Sequence, residues 1–135
     1  MLLLKESLYD IFMNPQENEV FINGNGLIET IFIGDQTEAT LLEVRKQYEI
    51  LIGQLKSENK PIRLLIYLDR VTKTDSGART TAVGILKDLP FEKVGVYGGD
   101  IKMRVVAKLI ISAVEHFSNI KYFSSREETE RWLLE

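Results

Sequence analysis

The chain has 135 residues, of which 44% are apolar and 27% charged, and these values are typical of one globular domain. It contains no cysteine and a single histidine, His116, which excludes disulfides, thiolate metal sites and histidine-rich metal cages. The formal net charge of -3 gives no general attraction to nucleic acid, because binding phosphates requires a clustered basic surface.

Apolar runs in this sequence are too short for a membrane span. Residues 1–6 are too short for the core of a signal peptide, and the stretch 105–114 is interrupted by Lys108 and Ser112. A helix that crosses a bilayer needs about 20 predominantly apolar residues. We therefore expect no membrane span and a cytoplasmic location.

The opening third of the sequence predicts strands. Residues 8–13 form an apolar run followed by the turn-rich stretch 14–18, which predicts an N-terminal strand and turn over residues 1–17. Two further apolar segments, 19–22 and 27–33, flank Asn23-Gly24-Asn25-Gly26. Asn-Gly pairs tolerate the positive φ of tight turns, so the pattern predicts an antiparallel hairpin.

Helices and strands then alternate along the remaining chain. Apolar residues at three- and four-residue steps predict a helix over 37–57, which ends before Pro61. The other predicted elements are strands at 62–68, 93–97 and 120–123, helices at 76–87 and 100–117, and a terminal helix after the capping residues Ser124 and Ser125. This alternation predicts a single α/β domain with a mixed, mostly parallel sheet, since parallel strands need crossover connections.

Two loops of the predicted sheet are candidate binding positions. Residues 69–77 and 98–100 each follow a strand and lead into a helix N-terminus, where free amides favour negative charge. If the two strands are neighbours, both helix starts face one shared site. For Gly98-Gly99, the ordinary interpretation is a tight turn with Asp100 as the helix cap, rather than a phosphate loop.

The stretch Thr74-Asp75-Ser76 allows two interpretations. All three side chains are good helix caps, and capping is what the local sequence favours. Alternatively, Ser76 is a phosphoacceptor, with Arg79 one turn away and Lys73 close by to offset the charge of Asp75. His116, near a helix end, is expected to interact with the helix dipole rather than to act in catalysis.

The helix predicted at 100–117 is apolar around nearly its whole circumference, with Lys102, Arg104 and Lys108 as a local basic patch. A helix of this kind is either deeply buried, or its outer strip contacts a partner or an apolar ligand. The sequence leaves these alternatives open.

Residues 62–77 resemble a STAS domain, the family of anti-sigma-factor antagonists and sulfate-transporter tails. In that family an apolar strand and an Asp-containing turn precede an Asp-Ser-Ser-Gly-like helix start; here the strand leads to Asp69 and then to Thr74-Asp75-Ser76-Gly77. Ser76 matches the serine that is phosphorylated in classical members. Thr74 and Asp75 depart from the family pattern, which has Asp and then Ser or Thr. In the later half, residues 93–99 lead into an apolar helix that carries basic residues, and residues 120–123 and 127–133 follow. This half resembles a divergent branch of STAS-like proteins grouped with CRAL-TRIO lipid-transfer domains.

The resemblance covers residues 18–135 and implies helices packed mainly on one face of the sheet, no required cofactor and action through protein contacts. No serine-histidine-acid order or paired-carboxylate motif stands out in the sequence, so we expect no catalytic residues. It implies a bacterial signalling module that binds a protein partner, with phosphorylation of Ser76 as a switch. Besides Ser76, the candidate residues for contacts with a partner or an anion are Asp69, Thr74, Asp75, Gly77, Arg79, Gly98, Gly99 and Arg104. The rival hypotheses are a carrier or sensor of an apolar, lipid-like molecule and a homodimeric structural module, with an enzyme last.

Overall fold

The computed structural model describes residues 17–116 and 118–135. The predicted strand at 8–13 lies outside the described residues. The strands are β1 (Glu19–Ile22), β2 (Ile28–Ile31), β3 (Gly34–Gln36), β4 (Arg63–Tyr67), β5 (Val71–Thr74), β6 (Lys93–Tyr97) and β7 (Ile120–Phe123). The helices are α1 (Glu38–Ser57), α2 (Ser76–Asp88), α3 (Ile101–Val114) and α4 (Arg126–Leu133).

The main sheet has five strands in the order β1-β2-β4-β6-β7. The strands β1 and β2 pair antiparallel, whereas each later pair in the sheet is parallel. The turn between β1 and β2 is closed by the Gly26 amide, which donates to the Asn23 carbonyl at 3.0 Å, and Gly26 has a φ of 81°. The predicted mixed, mostly parallel sheet with an N-terminal hairpin is confirmed.

A second, two-stranded parallel sheet joins β3 to β5. The sequence did not predict these strands, because they are short, polar and without an apolar alternation: Gly-Asp-Gln in β3 and Val-Thr-Lys-Thr in β5. Their pairing has a consequence for the site, because α2 follows β5 and therefore does not begin at the edge of the main sheet.

The core is divided between the two faces of the main sheet. Successive side chains of a strand point to opposite faces, so Leu64 and Ile66 pack with α1, α2 and α3, whereas Leu65 packs with Leu133 of α4. Within residues 17–116 and 118–135, three helices thus cover one face and one short helix covers the other. The predicted packing of helices mainly on one face is confirmed.

The helix α4 lies very close to β6. A Cβ atom added to Gly95 would lie 2.5 Å from the Thr129 Cγ2, so only glycine fits there without displacing the helix. At the C-terminal end of α4, the Lys93 ammonium donates to the Trp132 carbonyl at 2.9 Å and the Arg63 guanidinium to the Leu133 carbonyl at 2.8 Å. These two strand residues satisfy carbonyls that have no partner within the helix.

Candidate functional site

Asp69 connects the loops that follow β4 and β6. Its Oδ1 accepts a hydrogen bond from the Gly99 amide at 2.6 Å, and its Oδ2 accepts one from the Tyr67 hydroxyl at 2.9 Å. The bond to Asp69 raises the pKa of the Tyr67 phenol. A Cβ atom on Gly98 would lie 2.8 Å from the Asp69 Oδ1, so the carboxylate needs glycine at this position.

The loop Gly98-Gly99 is a tight strand-to-helix turn, as its ordinary interpretation predicts. Both residues have positive φ, 85° and 94°, and both carbonyls are engaged: Gly98 accepts from the Tyr122 hydroxyl at 2.6 Å, and Gly99 accepts from the Arg104 Nε at 3.1 Å. The Gly99 amide is used by Asp69. We refer to Asp69, Gly98, Gly99 and Arg104 as the β4–β6 edge cluster.

The start of α2 contains the remaining candidates. Asp75 is the N-cap, and its Oδ1 accepts from the Ala78 amide at 2.8 Å. The Arg79 Nη1 donates to the carbonyl of Thr74 at 2.9 Å and to its hydroxyl at 3.2 Å, so it holds the end of β5. Ser76 is the first residue of α2 and is exposed; within the described ranges its hydroxyl has no hydrogen-bond partner.

Gly77 places the start of α2 against the start of α1. A Cβ atom on Gly77 would lie 3.4 Å from the Glu38 Cβ, and the Asp75 amide donates to the Gln36 carbonyl at 3.2 Å. We refer to Thr74, Asp75, Ser76, Gly77 and Arg79 as the α2-start cluster.

The eight candidate contact residues and Ser76 therefore separate into two clusters. Within the part of the chain that the structure describes, no hydrogen bond or ion pair joins the β4–β6 edge cluster to the α2-start cluster. The strands that the two loops follow, β4 and β6, are neighbours, as a shared site requires. The loop after β4 nevertheless continues into β5 of the second sheet before α2 begins, so the start of α2 does not directly follow the main sheet.

An apolar cavity of about 90 Å³ lies between the main sheet and the three helices that cover it. Its lining includes Leu64 and Val96 from the sheet, and Ala82 and Ala107 from the helices. Gln36, Thr74 and Arg79 also line the cavity, but its surface is almost wholly apolar. The cavity thus lies directly behind the α2-start cluster.

The helix α3 is apolar on both of its faces. Its inner face contributes Met103 and Ala107 to the cavity lining. On its outer face, Ile101, Val105 and Leu109 are 79%, 54% and 63% exposed. Of the alternatives left open by the sequence, deep burial of the whole helix is wrong, and the outer strip is exposed.

A buried ion pair on the opposite face of the sheet was missed by sequence reasoning. Glu29 is only 4% exposed and accepts from the Arg126 guanidinium at 2.8 and 2.9 Å. The hydrogen bonds from Arg126 hold the pKa of Glu29 below its ordinary value, against the opposing effect of burial. Arg126 also donates to the Tyr97 hydroxyl at 3.2 Å. The available signal was an acid within the apolar run Ile28-Glu29-Thr30-Ile31.

Residues 17–116 and 118–135 contain neither a candidate metal centre nor a candidate membrane-spanning helix. That part of the chain has no group of three histidine, cysteine or acidic residues placed to hold a metal ion. In the same ranges, no helix combines the length and the apolar character required to cross a bilayer.

Comparison with solved structures identifies the fold. A protein of the DUF3478 family with a SpoIIAA-like fold, from Shewanella loihica PV-4, is similar with a TM-score of 0.55 and 14% identity, over 86% of this chain and 91% of that one. The anti-sigma factor antagonist SpoIIAA in its unphosphorylated form is similar with a TM-score of 0.57 and 12% identity, over 84% of this chain and 94% of that one. No protein-family model and no curated protein matches the sequence. The chain therefore has a SpoIIAA-like fold, the fold of STAS domains.

Proposed function

We propose that this chain is a non-enzymatic, cytoplasmic signalling module that binds a protein partner through the exposed start of α2, and that phosphorylation of Ser76 prevents binding. The observation that carries the proposal is that Asp75 caps α2, which leaves the exposed Ser76 hydroxyl without a structural role among the described residues. The similarity of the fold to that of an anti-sigma factor antagonist supports the proposal that the partner is a protein.

A phosphate on Ser76 is compatible with α2 itself. It would add nearly two negative charges at a helix N-terminus, where the helix dipole favours anions. Asp75 repels this charge, and Arg79 lies three residues further along the same helix. The modification would therefore leave the fold intact and change the charge of the surface that meets the partner.

We expect Ser76→Asp to abolish partner binding without unfolding the domain. A photo-cross-linking amino acid at Thr80, which is exposed one turn after Ser76, should capture the partner in the host cell. The same probe at Ile50, which is 70% exposed on α1, is the matched control. If the probe at Thr80 still captures the partner in the Ser76→Asp variant, phosphorylation of Ser76 does not act as a switch. If the probe at Ile50 captures the partner equally well, the partner does not bind at the start of α2. Intact-mass analysis of protein from its own host should also detect a phosphate that Ser76→Ala removes.

A carrier or sensor of an apolar small molecule is a second candidate, and the cavity behind α2 favours it. Its volume of about 90 Å³ is several times the roughly 10–15 Å³ that one water requires. The predominantly apolar lining suits a compact hydrocarbon group, because cavities of this kind stay dry and bind apolar molecules.

We expect Ala107→Leu to fill this cavity. The larger side chain should raise the free energy of unfolding by up to about 2 kcal/mol, from roughly 24 cal/mol per Å³ of cavity removed. Native mass spectrometry of the wild-type protein from its host should show an apolar adduct that this variant lacks. Ala113→Leu, at an exposed position of α3, is the control and should retain the adduct. A wild-type protein without any adduct would count against the carrier.

A further inference from the structure

The outer face of α3 combines exposed apolar side chains with exposed cations. At 3.6 residues per turn, Ile101, Val105 and Leu109 fall within an arc of about 80° and form a strip roughly 12 Å long. Arg104 and Lys108 flank the strip on one side and Lys102 on the other, and all three are exposed. We refer to these six residues as the α3 outer face.

The charge of this face is distinct from that of the whole chain. The chain carries a formal net charge of -3, yet α3 contains three cations and no acid between Ile101 and Val114. Within the described residues, Lys102, Arg104 and Lys108 form no ion pair, although Arg104 donates to a backbone carbonyl. A complementary surface must therefore be negatively charged.

A second copy of this chain is poorly suited to bind the α3 outer face. Pairing two α3 outer faces would place three cations opposite three cations, with no acid of α3 to compensate. The three apolar side chains also offer far less than the roughly 800 Å² per partner that stable protein interfaces bury. Charge and area together disfavour a dimer through this helix.

We propose that the α3 outer face docks on an anionic lipid surface, with α3 lying parallel to the membrane. A strip of branched aliphatic residues bordered on both sides by long cationic side chains is the pattern of interfacial helices. The apolar residues enter the headgroup boundary, while the lysine and arginine side chains extend their charges toward lipid phosphates. This inference does not depend on the role of Ser76, which belongs to a different cluster.

Co-sedimentation of the full chain with vesicles tests this proposal. We expect binding to phosphatidylcholine vesicles that contain phosphatidylserine, weaker binding to phosphatidylcholine alone, and a decline of binding with added salt. The double variant Val105→Ser/Leu109→Ser should lose at least about tenfold in vesicle affinity, because it removes two apolar groups from the contact. Lys102→Gln and Lys108→Gln should each lose about fivefold.

The control variant is Ile50→Ser, which removes an exposed aliphatic side chain of α1 and should bind as the wild type does. Thermal unfolding of every variant verifies that the fold is retained. The proposal is overturned if the wild type does not sediment with anionic vesicles, or if the double variant binds equally well. A concentration-dependent dimer that Leu109→Ser abolishes, without vesicle binding, would assign the face to a second copy. Cross-linking of position 109 to an acidic protein, without vesicle binding, would assign it to that protein.

Discussion

Replacing Arg126 with methionine is expected to lower the free energy of unfolding by about 3 kcal/mol at neutral pH. The change leaves the Glu29 carboxylate buried without its cation, and breaking a buried ion pair in this way costs about 3–5 kcal/mol. We take the lower end of that range because the Arg126 side chain is 41% exposed. Urea unfolding measures the loss, and Arg131→Met, at an exposed position of the same helix, should remain within about 0.5 kcal/mol of the wild type.

The same variant should change the dependence of stability on pH. In the wild type the pKa of Glu29 is lowered in the folded state, so the ion pair stabilises the protein at neutral pH and the contribution is lost as pH falls below about 4. Without Arg126, burial would raise the pKa of Glu29, and protonation on acidification would relieve the penalty. The difference in unfolding free energy between the two proteins should therefore shrink as pH falls from 7 to 4. A difference that stays constant, or a double variant Glu29→Gln/Arg126→Met no more stable than Arg126→Met, would contradict this explanation.

Gly98→Ala is expected to cost about 3 kcal/mol of unfolding free energy. The alanine would keep a φ of 85°, which costs about 1–2 kcal/mol, and its Cβ would lie 2.8 Å from the Asp69 Oδ1. Displacing Asp69 weakens its hydrogen bonds to Gly99 and Tyr67, worth about 1 kcal/mol each.

Gly26→Ala distinguishes the cost of the positive φ from the cost of displacing Asp69. Gly26 also has a positive φ, of 81°, but a Cβ atom there would contact nothing within 4 Å. This variant should therefore show only the conformational cost of about 1–2 kcal/mol in urea unfolding. Equal losses in the two variants would mean that Asp69 adapts freely, and that the β4–β6 edge cluster is less rigid than its hydrogen bonds indicate.

The elements predicted most accurately are those with a strong local signal. The hairpin followed from Asn-Gly pairs between two short apolar segments, and α1 followed from apolar residues recurring at three- and four-residue steps. The apolar run 62–68 corresponds to β4, which is covered on both faces of the sheet. In each of these elements, one segment of sequence contains the information that determines the structure.

The features that sequence reasoning missed depend on distant residues. The strands β3 and β5 are stabilised by pairing with each other rather than by an apolar pattern of their own. Glu29 and Arg126 are 97 positions apart, and no local pattern joins them. The separation of the candidate contact residues into two clusters also depends on distant residues. The pairing of β5 with β3 in a second sheet decides where α2 begins. The sequence could not show which strip of α3 is exposed, because the apolar residues of this helix occur around nearly its whole circumference.

The position of α4 in chain order also bears on how the domain acquires its structure during synthesis. All four parallel strands of the main sheet precede α4, and among residues 17–116 and 118–135 this is the helix that packs on Leu65 and Tyr97 and supplies the cation for Glu29. A nascent chain that has not yet emerged beyond residue 125 therefore exposes an apolar sheet face and an acid that lacks its cation. Such a face is a target for chaperones and for aggregation, so the emergence of α4 determines when this face of the sheet becomes covered.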